Sequence, residues 1–228
     1  MSIVAVIASH PDDELLGLGG TIAKRVKAGD TVVCLILGEG ITSRTLTRDD
    51  ANPETVNYLH KHVQDAAKIL GFTKVELAKL PDNRFDSVDL LDIIKVVEDF
   101  IERWKPEIIY THFSHDLNID HQRTHQAVLT ATRPVPGQNH IVKELYAFET
   151  PSATEWNFST TIPFRANVFV DVTDTLQYKL DAMACYKTES RDYPHPRSLQ
   201  ALKIIAERWG TVCGVKYAEA FQLIRKII

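Results

Sequence analysis

Six consecutive residues, Ser9-His10-Pro11-Asp12-Asp13-Glu14, set three carboxylates beside one imidazole. Like charges packed this closely repel unless a cation sits among them, and a divalent ion is the economical answer. His10 and Asp13 lie three apart, so a chain that turns helical there points both at one place. Asp12 between them is left free to act on whatever the ion holds. An imidazole nitrogen with a carboxylate oxygen suits zinc, while leaving iron, manganese or cobalt open. The plainer reading makes Asp12 and Glu14 capping carboxylates at a helix start and His10 a satisfied loop histidine.

A catalytic zinc site uses three protein ligands and an open position, so a second source is needed. Phe113-Ser114-His115-Asp116-Leu117-Asn118-Ile119-Asp120-His121 is the other dense run of His and Asp. His121 is the leading third ligand, with Asp116 or Asp120 to hold its second ring nitrogen. His125, one helical turn on, and His112 and His115 stay open as alternatives.

The elements that would position these groups follow from periodicity. Ile3 to Ala8 is a short apolar, β-branched run that reads as a buried parallel strand, with Pro11 at the first position of the helix that follows. Gly29-Asp30 stops that helix ahead of a second buried strand, Thr31 to Leu37, making a βαβ unit with both strand ends on one sheet edge. Helical spacing covers Pro53 to Leu70, with His60 and His62 read as surface or partly packed residues, and then Val88 to Trp104. Val75 to Leu80, Glu107 to His112, Val142 to Glu149 and Asn167 to Val172 read as further strands. A helix runs from the second cluster to about Thr132, broken by Arg133-Pro134-Val135-Pro136-Gly137. Pro151 to Arg165 reads as a loop over the site, and helices are expected over Asp174 to Thr188, Ser198 to Trp209 and Tyr217 to Ile228. The sum is a single α/β domain over residues 1–228: a Rossmann-like, mostly parallel sheet flanked by helices. Its ligand groups fall at the carboxyl ends of the strands, where open α/β sheets bind.

With 44% apolar and 25% charged residues, the 228-residue chain has the composition of an ordinary globular protein. A net charge of −4 argues against nucleic acid or an anionic membrane as partner, leaving a small-molecule substrate. Cys34, Cys185 and Cys213 are scattered, which fits reduced thiols. Met1 to Ala8 lacks a signal peptide's basic region and length, so a cytoplasmic location is expected; a homo-oligomer stays open. Gly17-Leu18-Gly19-Gly20 lacks the dinucleotide spacing and follows an acidic cluster that would repel a pyrophosphate.

Ser9 to Glu14, after a strand and before a Gly-rich helix, closely resembles the signature of the PIG-L/LmbE-like zinc N-deacetylases. Asp120-His121 resembles that family's second zinc motif, Leu80-Pro81-Asp82-Asn83-Arg84 its substrate loop, and Gly214 to Phe221 its C-terminal segment. The resemblance implies removal of N-acetyl or other N-acyl groups from amino sugars, one Zn²⁺ per chain on His10, Asp13 and His121, and Asp12 as general base. Where that family commonly has His-Pro-Asp-His, this chain has Asn118-Ile119-Asp120-His121. Asn118 can donate to an oxyanion but cannot titrate, which leaves His112 or His115 as candidates for the cationic part. Arg44, Asp82 and Arg84 are the expected grips on substrate hydroxyl or phosphate groups. A non-catalytic sugar- or nucleotide-binding protein and a metal phosphoesterase are the competing classes; the latter commonly carries two metals.

Overall fold

The structure is a computed structural model that describes residues 1–136, 142–159 and 161–228; Gly137 of the expected helix break and one residue of the expected loop, Thr160, lie outside them. In chain order the elements are β1 (Ile3–Ala8), α1 (Asp13–Lys27), β2 (Thr31–Gly38), α2 (Pro53–Leu70), β3 (Lys74–Leu80), α3 (Leu90–Trp104), β4 (Ile108–His112), α4 (Ile119–Ala131), β5 (Glu144–Phe148), β6 (Val168–Asp171), α5 (Leu176–Cys185), α6 (Leu199–Cys213) and β7 (Ala218–Lys226).

One sheet of seven strands, ordered β3-β2-β1-β4-β5-β7-β6, carries them all. The pairs from β3 to β5 are parallel, and β7 is antiparallel to both β5 and β6. The central strands β1 and β2 are apolar on both faces because both are covered. Val4, Val6, Cys34 and Ile36 pack with α1, α2 and α5, while the alternate residues Ala5, Ile7, Val33 and Leu35 pack with α3 and α4.

The segment expected as a last helix, Tyr217 to Ile228, is instead strand β7. Its period is two: Phe221 and Leu223 enter one core layer, and Ala218 and Ala220 face Trp209 on the other. Apolar residues at 218, 221 and 224 match a helical stripe equally well, and only the open edges of β5 and β6 decide between the two. The first helix also starts later than expected. Asp12 adopts φ 101°, a left-handed conformation, so helix α1 begins at Asp13 and Pro11 lies in the turn before it.

From β1 the chain builds outward through β2 to β3, then returns to the other side of β1 to place β4. The strand order therefore reverses between β1 and β4, and a crevice opens at their carboxyl ends. Both His/Asp clusters leave the sheet there. Gly38, at the end of β2, allows the close approach: a Cβ on it would meet the Ser9 carbonyl oxygen at 2.8 Å and the His10 ring at 3.4 Å.

Candidate metal centre

The first cluster is a tight turn held by its own carboxylates. Asp13 Oδ2 accepts from the His10 backbone N–H at 2.8 Å, and Glu14 Oε2 accepts from the Asp12 N–H at 3.0 Å. Tyr186 in turn donates to Glu14 Oε1 at 2.7 Å. A left-handed non-glycine residue costs on the order of 1–3 kcal/mol, and these bonds over-determine it.

Three donor atoms converge. His10 Nδ1, His121 Nε2 and Asp13 Oδ2 form a triangle with edges of 3.3, 3.3 and 3.2 Å. Ligands about 2.0–2.1 Å from one zinc ion at tetrahedral angles lie roughly 3.3–3.4 Å apart, so the triangle has the size such an ion requires. These three residues are the one cluster of His, Cys, Asp or Glu suited to a metal ion among the described residues.

The second nitrogen of each imidazole faces a carboxylate. His10 Nε2 meets Asp120 Oδ2 at 2.9 Å, and His121 Nδ1 meets Asp116 Oδ1 at 3.1 Å. Both carboxylates are anchored: Asp120 Oδ1 accepts the Phe85 N–H at 2.9 Å, and Asp116 Oδ2 accepts from Thr154 Oγ1 at 2.6 Å. This arrangement fixes ring orientation and raises ligand basicity.

Asp12, Asp13, Asp82, Asp116 and Asp120 are all at most 3% exposed, an excess of buried negative charge that calls for a cation. Against the cost of burial, Asp13 and Asp116 push His121 up to about 9, and Asp120 and Asp13 raise His10 well above the usual histidine range. Burial opposes ionisation of Asp13, yet His121 and His112 hold its carboxyl well below the usual range. Burial raises Asp12 well above that range, with Arg197 pulling the other way.

The other histidines do not join the triangle. His112 Nε2 accepts the Ser9 N–H at 2.9 Å and its Nδ1 meets Thr150 Oγ1 at 3.1 Å; burial, with His121 beside it, drives its pKa down to about 4. It ties the end of β1 to the end of β4 as a neutral ring. His125 Nδ1 donates to the His112 carbonyl at 2.8 Å, and His115 Nδ1 is bonded to Ser114 Oγ at 2.8 Å.

A small polar cleft of about 120 Å³ opens beside the triangle, lined by His10, Asp12, Asp13, Arg44, Asp82 and Asn118 together with Asn83, Ser43, Glu189 and Arg197. Asn118 caps α4 through its Oδ1 and donates Nδ2 to Asn83 Oδ1 at 2.8 Å. Asp82 Oδ2 accepts from the Ser43 hydroxyl at 2.6 Å. Arg44 reaches the cleft and pairs with Glu189 at 2.6 Å. Arg84 points away, its guanidinium near the exposed Leu46 carbonyl.

Arg197 is a further residue on the cleft wall. Its Nη1 lies 3.0 Å from Asp12 Oδ2 and 3.4 Å from Glu189 Oε2, and its Nε donates to Ser152 Oγ at 2.7 Å. Nothing local marks Arg197 or Glu189 in the sequence; they arrive from the connection between α5 and α6. His62, expected as a surface or partly packed residue, is buried. Its ring is edge-on to Tyr58 at 4.2 Å and to Tyr186 at 6.3 Å, because α2 packs directly on α5. In the loop after β5, Trp156 stands edge-on to His195 at 5.9 Å and Phe158 is exposed.

A doubly covered α/β sheet with a His/Asp/His centre at its switch point defines the class. The chain belongs to the PIG-L family, described as GlcNAc-PI de-N-acetylase, whose profile matches residues 5–132, the stretch from β1 through α4 that holds both clusters. It is 27% identical over 191 residues to the uncharacterized deacetylase YaiS of Escherichia coli, covering 81% of this chain and 90% of that one. It is 25% identical over 228 residues to the diacetylchitobiose deacetylase of Thermococcus kodakarensis, covering 97% and 82%. Among solved structures, the 4-carboxy-2-hydroxymuconate hydratase GalB of Pseudomonas putida superposes with a TM-score of 0.77 at 21% identity, covering 100% and 98%. That likeness is one of fold, and the fold alone does not select a reaction.

Proposed function

We propose that this chain is a metal-dependent hydrolase that removes an N-acetyl, or other N-acyl, group from an amino sugar or amino-sugar conjugate. The observation that carries the reading is the triangle of His10, Asp13 and His121 beside the unligated Asp12. The family membership and the deacetylase names of the relatives support it.

His10, Asp13 and His121 would hold the ion, with zinc favoured by the donor set. When bound, the ion lowers the pKa of its water to about 7 and polarises the substrate carbonyl. Asp12 takes the proton of the attacking water and returns it to the departing amine, a general base turned acid. Arg197, bonded to both Asp12 and Ser152, holds that carboxylate in one orientation. Asn118 lies on the cleft wall as a neutral donor for the developing oxyanion. His112, neutral and bonded to Ser9, supports the turn from behind, and His115 is turned to Ser114. Arg44 and Asp82 bind hydroxyl or phosphate groups of the substrate, with Asn83 in the place first given to Arg84.

A single metal cluster among the described residues weighs against a two-metal phosphoesterase. The test is amine release from N-acetylglucosamine derivatives by protein whose metal content has been measured. About one metal ion per chain with metal-dependent amine release is expected. A metal-loaded, folded protein that releases no amine from any N-acylated amino sugar would leave only the binding-protein reading.

A further inference from the structure

Both guanidiniums that reach the catalytic cleft are paired with carboxylates. Arg44 and Arg197 line it together with Asp12, Asp13, Asp82 and Glu189. Arg44 Nη2 meets Glu189 Oε2 at 2.6 Å. Arg197 Nη1 lies 3.0 Å from Asp12 Oδ2 and 3.4 Å from the same Glu189 oxygen, and its Nε donates to Ser152 Oγ. One oxygen of the buried Glu189 therefore gathers both arginines. Among the described residues no lysine and no third arginine lines the cleft; Arg84 points away, and Arg48 is held by Glu39 at 2.7 Å.

His10 and His121 are neutral when they ligate a cation, so a divalent ion on the triangle would only balance the four carboxylates against the two guanidiniums. Asp116 and Asp120, facing the far nitrogens of the two rings, add further negative charge. An incoming phosphate or carboxylate thus meets no guanidinium that lacks a carboxylate partner. To take Arg44 it must share that side chain with Glu189, whose own side chain is 7% exposed against 47% for Arg44. Like charges brought together away from water repel strongly.

The rest of the wall suits uncharged groups. Ser43, Asn83 and Asn118 are its neutral hydrogen-bonding side chains, each able to donate and to accept. Asp82 Oδ2 takes the Ser43 N–H and hydroxyl. Its Oδ1 lies 3.5 Å from His10 Nε2, too far for a good hydrogen bond, and is left as an acceptor for a hydroxyl. Of the two kinds of group open to Arg44 and Asp82, hydroxyl and phosphate, the pairing favours hydroxyl.

We infer that the substrate presents only uncharged groups to this cleft, and that Glu189, by holding Arg44 and Arg197, turns away amino-sugar conjugates that bring a phosphate or carboxylate to it. This rests on the deacylase reading and narrows it to neutral N-acylated amino sugars and their neutral glycosides, setting aside sugar phosphates, nucleotide-linked sugars and acidic glycosides.

The experiment measures amine release by the metal-loaded protein on two pairs of compounds. The first is N-acetylglucosamine against its 6-phosphate. The second is the carboxamidomethyl against the carboxymethyl glycoside of N-acetylglucosamine, which differ by one charge at nearly equal size. The pairs place the charge at opposite ends of the sugar, so that one of them meets the cleft whichever way the sugar lies. Expected is a kcat/KM at least tenfold lower for the acid than for its neutral partner in at least one pair. Glu189→Gln should narrow that ratio at least threefold, because it frees Arg44; a loss of kcat common to both compounds, through Arg197 and Asp12, cancels in the ratio. Glu189→Met gives the same readout if Glu189→Gln does not fold. Ratios below tenfold in both pairs would overturn the inference and leave the deacylase standing. A ratio that narrows less than threefold in the variant would overturn the part given to Glu189. Release of no amine from any of the four compounds would overturn the inference together with the reading it rests on.

Discussion

Lys179 and Glu219 form an ion pair at 2.8 Å with side chains only 5% and 3% exposed. Lys179 Nζ also donates to the Leu16 carbonyl at 2.8 Å, and Glu219 accepts the N–H groups of Gly20 at 3.0 Å and Thr21 at 2.6 Å. The pair clamps α1 on either side of Leu18, where the helix kinks at φ −149°, and so holds the element that presents Asp13. Lys179→Met keeps the apolar stem and removes the charge, leaving a buried carboxylate with two amide partners. Breaking a buried pair this way costs about 3–5 kcal/mol, and the surviving amide bonds place this case near the lower end, about 3 kcal/mol. For a chain of this size each kcal/mol moves Tm by roughly 2–4 °C, a drop of about 10 °C. Glu219→Gln added to Lys179→Met removes the stranded charge and keeps one acceptor oxygen for either the Gly20 or the Thr21 N–H, at the loss of the other bond. The double variant should regain at least about 1 kcal/mol over Lys179→Met. Urea unfolding followed by circular dichroism, with the slope checked for constancy, measures all three. A loss under about 1 kcal/mol for Lys179→Met, or a double variant less stable than the single, would refute the reasoning.

Asp12→Asn should keep its metal and lose roughly 10²- to 10⁴-fold in kcat, the typical share of a general base; near-parental turnover in metal-loaded protein would remove Asp12 from that role. His121→Ala should lose bound metal by elemental analysis, whereas His125→Ala, whose ring is tied to the His112 carbonyl, should retain it. Gly17→Ala would bring a Cβ to 2.3 Å from the Phe148 ring, and overpacking of this kind costs about 1–3 kcal/mol by urea unfolding. His62 has neither ring nitrogen hydrogen-bonded among the described residues. Burial, then Lys187, lowers its pKa, so its contribution to stability is complete above the unfolded value of about 6.5 and declines as the pH falls through it toward the folded value. His62→Phe should therefore show a smaller loss of urea midpoint between pH 8 and pH 5.5 than the parent protein.

Much of this protein is local and was legible as such. An apolar run of six residues covered on both sheet faces, and a glycine stop after one helix, are decided by a few neighbours, so β1, β2 and α1 could be read from spacing. His10 and Asp13 were legible because three residues of chain bring them together. The third corner of the triangle was only a choice among four histidines, since a separation of more than a hundred residues closes through the order of β1 and β4 and not through local spacing. The final strand was misread for the same reason: its apolar residues satisfy two periods, and the partners that choose between them are distant in sequence.

The sequence by itself determined the chemistry on offer, meaning which donors exist, that two of them sit in one turn, and that the chain can bury a doubly covered sheet. Tertiary structure decided which imidazole completes the triangle, which carboxylate steadies each ring, and that Arg197 stands on Asp12. Those choices depend on distances of about 3 Å between residues from different elements. Such distances are set by strand order and helix packing, which no window along the chain contains.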